Sequence, residues 1–217
     1  MRKRIAVSAA GGAALAVLAA GAAVPAAASG PRPVRGPDGV AFEVVRSNGA
    51  GCLPGTAAVD LSDDAESFTV DYGDHTAQAG GASEPADARS LCQITLKAHL
   101  PEGFTYAISQ TDYRAHANLQ SGAKAVLKAT YFFQAGWPPK ITTLDLAGPY
   151  DEKFQITERI PADQIVWKPC GSERDLTLHS DLRVDKGTSD PAKASFLSMN
   201  SAGGGKTTYH LVWKFCN

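Results

Sequence analysis

Neither sign of charge is in excess in this sequence: 21 Lys and Arg stand against 22 Asp and Glu, a formal net charge of −1. Proteins that neutralise a phosphate backbone need clustered cations, so no nucleic acid is expected as a partner. Catalytic signatures are missing too. There is no G-x-S-x-G elbow and no H-E-x-x-H pair, and no C-x-x-C pair of the kind that opens a zinc site. Ser62-Asp63-Asp64 lacks the ligand ladder of an EF-hand and reads as a polar turn. Gly203-Gly204-Gly205-Lys206-Thr207 has Asn200 where a Walker-type phosphate loop needs glycine, and reads as a hairpin loop. The densest set of ligand-type residues, Asp71, Asp74 and His75, is explained by a turn in which Gly73 supplies the positive φ. No metal and no cofactor is therefore expected, and no residue is given a catalytic role. Sustained helical periodicity and internal repeats are also absent, which sets aside bundles and solenoids.

What is present begins with Arg2, Lys3 and Arg4, followed by a run without a charge from Ile5 to Val24 and closed by Ala26-Ala27-Ala28. A cationic start, an apolar stretch and a small-x-small end are the layout of a secretory signal peptide. The stretch is mostly Ala and Gly and ends at Pro25 without a cationic stop-transfer cluster, unlike a membrane anchor. We expect a signal peptide at 1–28, an irregular Pro/Gly-rich leader at 29–39 and a domain at 40–217. Cys52, the first cysteine, stands far from the cleavage point, so no lipid-modified terminus is expected. The product is expected to be extracellular and monomeric, with no membrane insertion after cleavage.

The four cysteines, Cys52, Cys92, Cys170 and Cys216, all lie beyond that cleavage point. An even number in an exported chain points to two disulfides. Three pairings are open; Cys52–Cys92 with Cys170–Cys216 is favoured because each joins neighbours in the chain. Each would close a loop of about 40 residues or slightly more, worth roughly 4 kcal/mol if chain entropy dominates.

Beyond the leader the dominant period is two. Phe68, Val70 and Tyr72 alternate with Thr69 and Asp71; Cys92, Ile94, Leu96 and Ala98 alternate with Gln93, Thr95, Lys97 and His99. Leu176, Leu178, Leu182 and Val184 keep one parity, as do Tyr209, Leu211, Trp213 and Phe215. Such alternation marks strands with one buried and one wet face. Further strands are expected at 41–46, 56–61, 104–110, 123–134, 141–146, 154–159, 165–167 and 195–199, and one short helix near 84–91. About a dozen short strands punctuated by Gly and Pro predict an all-β fold: an antiparallel β-sandwich or jelly-roll-like single domain with two disulfides.

A set of segments in fixed order carries a resemblance. They are Gly51-Cys52 with Gly55-Thr56, Cys92-Gln93, Asp112-Tyr113-Arg114, Tyr131-Phe132-Phe133-Gln134, Gly148-Pro149-Tyr150 and Trp167-Lys168-Pro169-Cys170-Gly171. Leu182-Arg183-Val184, Ser189-Asp190-Pro191-Ala192, Tyr209-His210-Leu211, Trp213 and Cys216 complete the set. Together they resemble a family of small secreted proteins of unknown function found in bacteria and fungi. The resemblance implies export, a four-cysteine framework and a compact β domain; it brings no activity and no catalytic residue. The chain departs from that pattern at Asp71-Tyr72-Gly73-Asp74-His75.

Candidate contact residues are therefore chosen on chemistry alone. Asp112-Tyr113-Arg114 is unusually polar for the middle of a strand, and Asp112 and Arg114, two positions apart, share a face on which they can pair or receive a ligand. His99, His179 and His210 fall on the wet parity of their strands. Trp167 and Trp213 are expected in the core. Trp137, in Gly136-Trp137-Pro138-Pro139, belongs to a surface loop, because two prolines forbid a central strand. A ring so placed packs back as a lid or is offered to a partner.

These features predict a secreted, non-enzymatic binding or structural module whose partner is an extracellular polysaccharide, as in a cell wall, or a protein. Two alternatives belong to other classes. One is a hydrolase with a carboxylate pair that is adjacent only in space; the other is an inhibitor that binds a protein.

Overall fold

The computed structural model describes residues 35–134 and 138–216. The expected signal peptide, the first part of the expected leader, and Trp137 lie outside the described residues.

Among the described residues twelve strands form: β1 (Ala41–Asn48), β2 (Ala58–Leu61), β3 (Ser67–Asp71), β4 (Thr76–Ala79), β5 (Arg89–His99), β6 (Phe104–Leu119), β7 (Lys124–Phe133), β8 (Lys140–Ala147), β9 (Tyr150–Arg159), β10 (Leu176–Asp185), β11 (Ser195–Ser198) and β12 (Lys206–Phe215). They make two antiparallel sheets packed as a sandwich. One has the order β1-β5-β10-β7-β8; the other runs β2-β3-β12-β6-β11-β4, with β9 paired to β6. β6 is the axis of the larger sheet. It is 16 residues long, carries β9 along Gln110–Leu119 on one edge, and carries β12 and then β11 on the other.

The two-residue period is realised as burial. Phe68, Val70, Ile94, Leu96, Leu127, Leu176, Leu178, Tyr209 and Trp213 all lie in the core between the sheets. Fully burying one such side chain contributes roughly 1.5–3 kcal/mol. The rings interlock: Phe68 stacks on Tyr209 at 4.9 Å between centroids, and Tyr106 meets Trp213 at 5.7 Å. The buried Trp213 indole N–H donates to the Ala65 carbonyl at 2.8 Å, so this ring brings no unsatisfied donor into the core.

Both expected disulfides are present, Cys52–Cys92 and Cys170–Cys216, with Cα separations of 5.2 and 5.7 Å. The first ties the loop after β1 to β5; the second ties the loop before β10 to the chain beyond β12.

Several local expectations are corrected. The helix expected near 84–91 is a single 3₁₀ turn, Pro85–Ala88, after which Arg89 is already extended and opens β5. The strand expected at 165–167 reduces to one bridge between Trp167 and Ala107. Trp167 is half-buried, not core, and carries the Lys214 ammonium 4.3 Å over its ring. Phe215 keeps the core parity but is exposed at the strand end, against Phe104 at 4.7 Å. The expected strand at 104–110 runs on to Leu119, because Tyr113, Ala115, Ala117 and Leu119 continue the buried row. β4, a run of Thr, Ala and Gln with no large apolar residue, was not expected at all.

Asp71, Asp74 and His75 diverge. Asp71 accepts from the Gly73 amide at 3.0 Å within the turn, and Asp74 accepts from the Asn200 side chain at 3.1 Å. His75 turns inward and is fully buried. Its Nδ1 lies 2.9 Å from the Ser90 hydroxyl and its Nε2 2.9 Å from the Ser180 hydroxyl. The imidazole therefore bolts the edge of the larger sheet to β5 and β10 of the smaller one. Burial pushes its pKa down to about 4, so the ring is neutral at physiological pH. Gly51 gives it room: a Cβ there would stand 1.9 Å from Nδ1.

Candidate functional site

Alternation along β6 sends Tyr113 inward and its two neighbours outward. Tyr113 is buried, its hydroxyl 3.4 Å from Thr142 Oγ1. It is thus removed from the surface patch expected to include it, because odd and even positions of a strand cannot share a face. Gln110, Asp112, Arg114, His116 and Asn118 line the outer face of the larger sheet. Strand register adds their companions. Asp112 sits between Thr157 of β9 and Thr208 of β12; Arg114 sits between Gln155 and Lys206; Gln110 sits between Arg159 and His210.

The side chains on this face are joined by hydrogen bonds. Asp112 accepts from Thr157 Oγ1 at 2.5 Å, from His210 Nε2 at 2.8 Å and from Gln110 Nε2 at 3.2 Å. Arg159 Nε donates to Gln110 Oε1 at 3.1 Å, and Arg114 Nε donates to Gln155 Oε1 at 2.8 Å. Asp112 thus takes its closest ring partner from His210, and not the guanidinium of Arg114 as a strand-face ion pair would require. Partial burial pushes its carboxyl up, but the bonds from Thr157, His210 and Gln110 outweigh this and hold it below the usual carboxylate range. At neutral pH it is an ionised acceptor.

Two shallow depressions of about 300 and 310 Å³ open on the same face and share Gly203 in their walls. One is walled by His116, Phe196 and Asn200; the other by Arg114, Lys153 and Gln155. His116 meets the Phe196 ring edge-on at 5.1 Å and approaches Asp151 at 3.4 Å. Among the described residues no carboxylate pairs with Arg114, Lys153 or Lys206.

The outer face of the smaller sheet is arranged differently. Asp181 of β10 is gripped by Arg89 through Nε at 3.0 Å and a terminal nitrogen at 2.9 Å, and by Arg183 at 2.8 Å. Burial raises its carboxyl, and the two guanidinium groups overcome that to bring it to about 2. Elsewhere, a cavity of about 560 Å³ opens beside Cys216. The buried Lys168 reaches its wall, but its ammonium donates to the Ser172 carbonyl and closes its own loop. Burial lowers the Lys168 pKa, opposed by Glu173 and Asp175. Among the described residues no three His, Cys, Asp or Glu side chains converge in a way that could hold a metal ion.

The class these features define is a disulfide-stapled β-sandwich with a hydrogen-bonded polar face. The chain belongs to the family described as a domain of unknown function, DUF4360, whose model matches residues 38–216. It is 29% identical over 188 residues to an uncharacterized secreted protein of Arthroderma benhamiae, covering 83% of this chain and 73% of that one. Disulfides persist in oxidising compartments, and this protein is secreted. Among solved structures, the carbohydrate-binding module TmCBM61 in complex with β-1,4-galactotriose matches at 10% identity with a TM-score of 0.30, covering 79% of this chain and 88% of that one. A family two carbohydrate esterase from Cellvibrio japonicus matches at 9% identity with a TM-score of 0.21, covering 82% of this chain and 34% of that one. Overlaps this loose say nothing about what the chain binds.

Of the residues singled out by sequence, Asp112 and Arg114 share the polar face, Tyr113 lies beneath it, and Trp137 lies outside the described residues. His210, Thr157, Gln110, Gln155 and Arg159 were missed. The signal available was the wet parity of β9 and β12, which marks exposure without marking adjacency, and for Gln110 its place two positions before Asp112 on β6.

Proposed function

We propose that this secreted protein is a non-enzymatic binding module that contacts extracellular polysaccharide through the outer face of its larger sheet. The observation that carries this reading is the hydrogen-bonded row Arg159–Gln110–Asp112–His210, flanked by Thr157 and by Arg114–Gln155. Planar amide, guanidinium, imidazole and carboxylate groups fixed by one another lose little freedom when they meet a second set of hydrogen-bonding groups. Sugar hydroxyls both donate and accept, which suits such a mixed row. Ring contacts complement it: Phe196 and His116 border the row. The lowered carboxyl of Asp112 suits a hydrogen-bond acceptor and not a general acid, which needs a carboxyl shifted the other way.

The test is sedimentation of the mature protein with insoluble cellulose, chitin and peptidoglycan, beside Asp112→Ala, Arg159→Ala and Trp137→Ala. Retention on a polymer that is lost in Asp112→Ala and Arg159→Ala, with folding intact by circular dichroism, is the expected result. Retention lost only in Trp137→Ala moves the contact to that loop. Absence of retention, or equal retention by every variant, overturns the proposal.

A further inference from the structure

We infer that the polysaccharide is a polyuronate, gripped through its carboxylates between Arg114, Lys153, Lys206 and the Gly203-Gly204-Gly205 loop; this rests on the binding reading above. Register places Lys206 of β12 directly opposite Arg114 of β6, and Lys153 of β9 opposite His116, one diagonal away. Directly opposed side chains in an antiparallel pair have Cβ atoms about 4.5–5.5 Å apart, and like charges there repel. The fold carries this repulsion without relieving it internally, because no carboxylate among the described residues pairs with any of the three.

None of the nearby acids forms an ion pair with these cations. Asp71 accepts from the Gly73 amide, Asp74 from Asn200, Asp151 from His116, and Asp112 from His210 and Thr157. Arg114 spends only its Nε, on the neutral amide of Gln155. Its terminal nitrogens remain for a carboxylate, whose two oxygens match a guanidinium fork better than a point charge does. The third wall is glycine. A Cβ on Gly203 or Gly204 would meet nothing within 4 Å, so the loop leaves open space beside the cations. A local cluster of cations in a chain whose charges nearly balance overall selects for a repeating anion.

Retention on calcium-gelled polygalacturonate and on its methyl-esterified form compares the same sugar backbone with and without charge. The acid form is expected to retain the protein, with retention falling as salt rises. Arg114→Ala and Lys206→Ala are each expected to weaken it about tenfold, the loss of one charge-assisted contact. Two substitutions of similar bulk at the open position separate charge from obstruction: Gly203→Glu weakens retention and Gly203→Lys preserves or strengthens it. Equal retention on the two forms, equal weakening by both Gly203 substitutions, or equal retention on dextran sulfate overturns the polyuronate inference. In those cases binding to neutral polymers that is lost in Asp112→Ala still upholds the binding module. Retention on none of these polymers overturns both.

Discussion

The outer faces of the two sheets each hold a carboxylate below its ordinary pKa, and they do so by opposite means. Asp181, on the smaller sheet, is clamped by two arginines and keeps 5% of its side chain exposed. Asp112, on the larger sheet, keeps 14% exposed and is held by a threonine, a glutamine and a histidine. In the first cluster both guanidinium groups close on the one carboxylate of the same chain, so its polar groups serve the fold. In the second, a hydroxyl, an amide and an imidazole hold the acid, while among the described residues no carboxylate pairs with Arg114, Lys153 or Lys206. The contrast teaches that a cluster of charge signals recognition only where the chain has not already answered it.

The contrast is sharpest when the interior that both faces cover is accounted for first, since its effects are the largest. Gly51→Ala would drive a methyl group into the His75 ring, and we expect a loss of roughly 3 kcal/mol or more through overpacking and the broken serine bonds. Urea unfolding measures it; an unchanged midpoint would show that the clamp is dispensable. His75 also sets the first acid response. Its folded pKa of about 4 lies below the ordinary 6.5, so the unfolded chain takes the proton first as pH falls. Its contribution is complete above pH 6.5, declines between 6.5 and 4 by roughly 3 kcal/mol, and is flat below that. A stability profile flat from pH 7 to 4 would break this reading.

Asp181→Ala comes next. We expect a loss on the order of 2 kcal/mol at neutral pH with retention on polysaccharide unchanged. The carboxyl is depressed from 3.8 to about 2, so its stabilisation is present above about pH 4 and vanishes as pH falls through 2. The gap between wild type and variant should close over that window. Asp112→Ala is the mirror image: under about 1 kcal/mol of stability, as for partly exposed hydrogen bonds, but retention abolished. If Asp181→Ala abolished retention and Asp112→Ala did not, the roles of the two faces would be reversed. The smallest structural effect belongs to Arg114→Ala, within about 0.5 kcal/mol of wild type in thermal unfolding, because its only internal partner is a neutral amide. Relief of its repulsion with Lys206 would show as slight stabilisation.

The sheets were legible because a buried face imposes its period on the chain. β3, β5, β10 and β12 were found from alternating apolar residues, and the disulfides from cysteine number and neighbourhood. β4 escaped because Ala77 and Ala79 are small and Thr76 and Gln78 are unremarkable, though its inward alanines are buried. The polar face was legible only along one strand. Asp112 and Arg114 declare a shared face by spacing, yet the partners that shape them stand 45 and 98 residues away at Thr157 and His210. Tyr113 was drawn into the patch by adjacency in sequence, which in a strand means the opposite side.

The sequence by itself determined that this is a disulfide-bonded β protein, because cysteine count and two-residue periodicity are local or additive properties. It determined that Asp112 and Arg114 look the same way for the same reason. Only the tertiary structure decided which carboxylate is answered by arginines, which histidine is dry, and which cations stand across from each other without an acid. Those outcomes depend on register between strands distant in the chain, where a shift of one residue turns a partner to the other face.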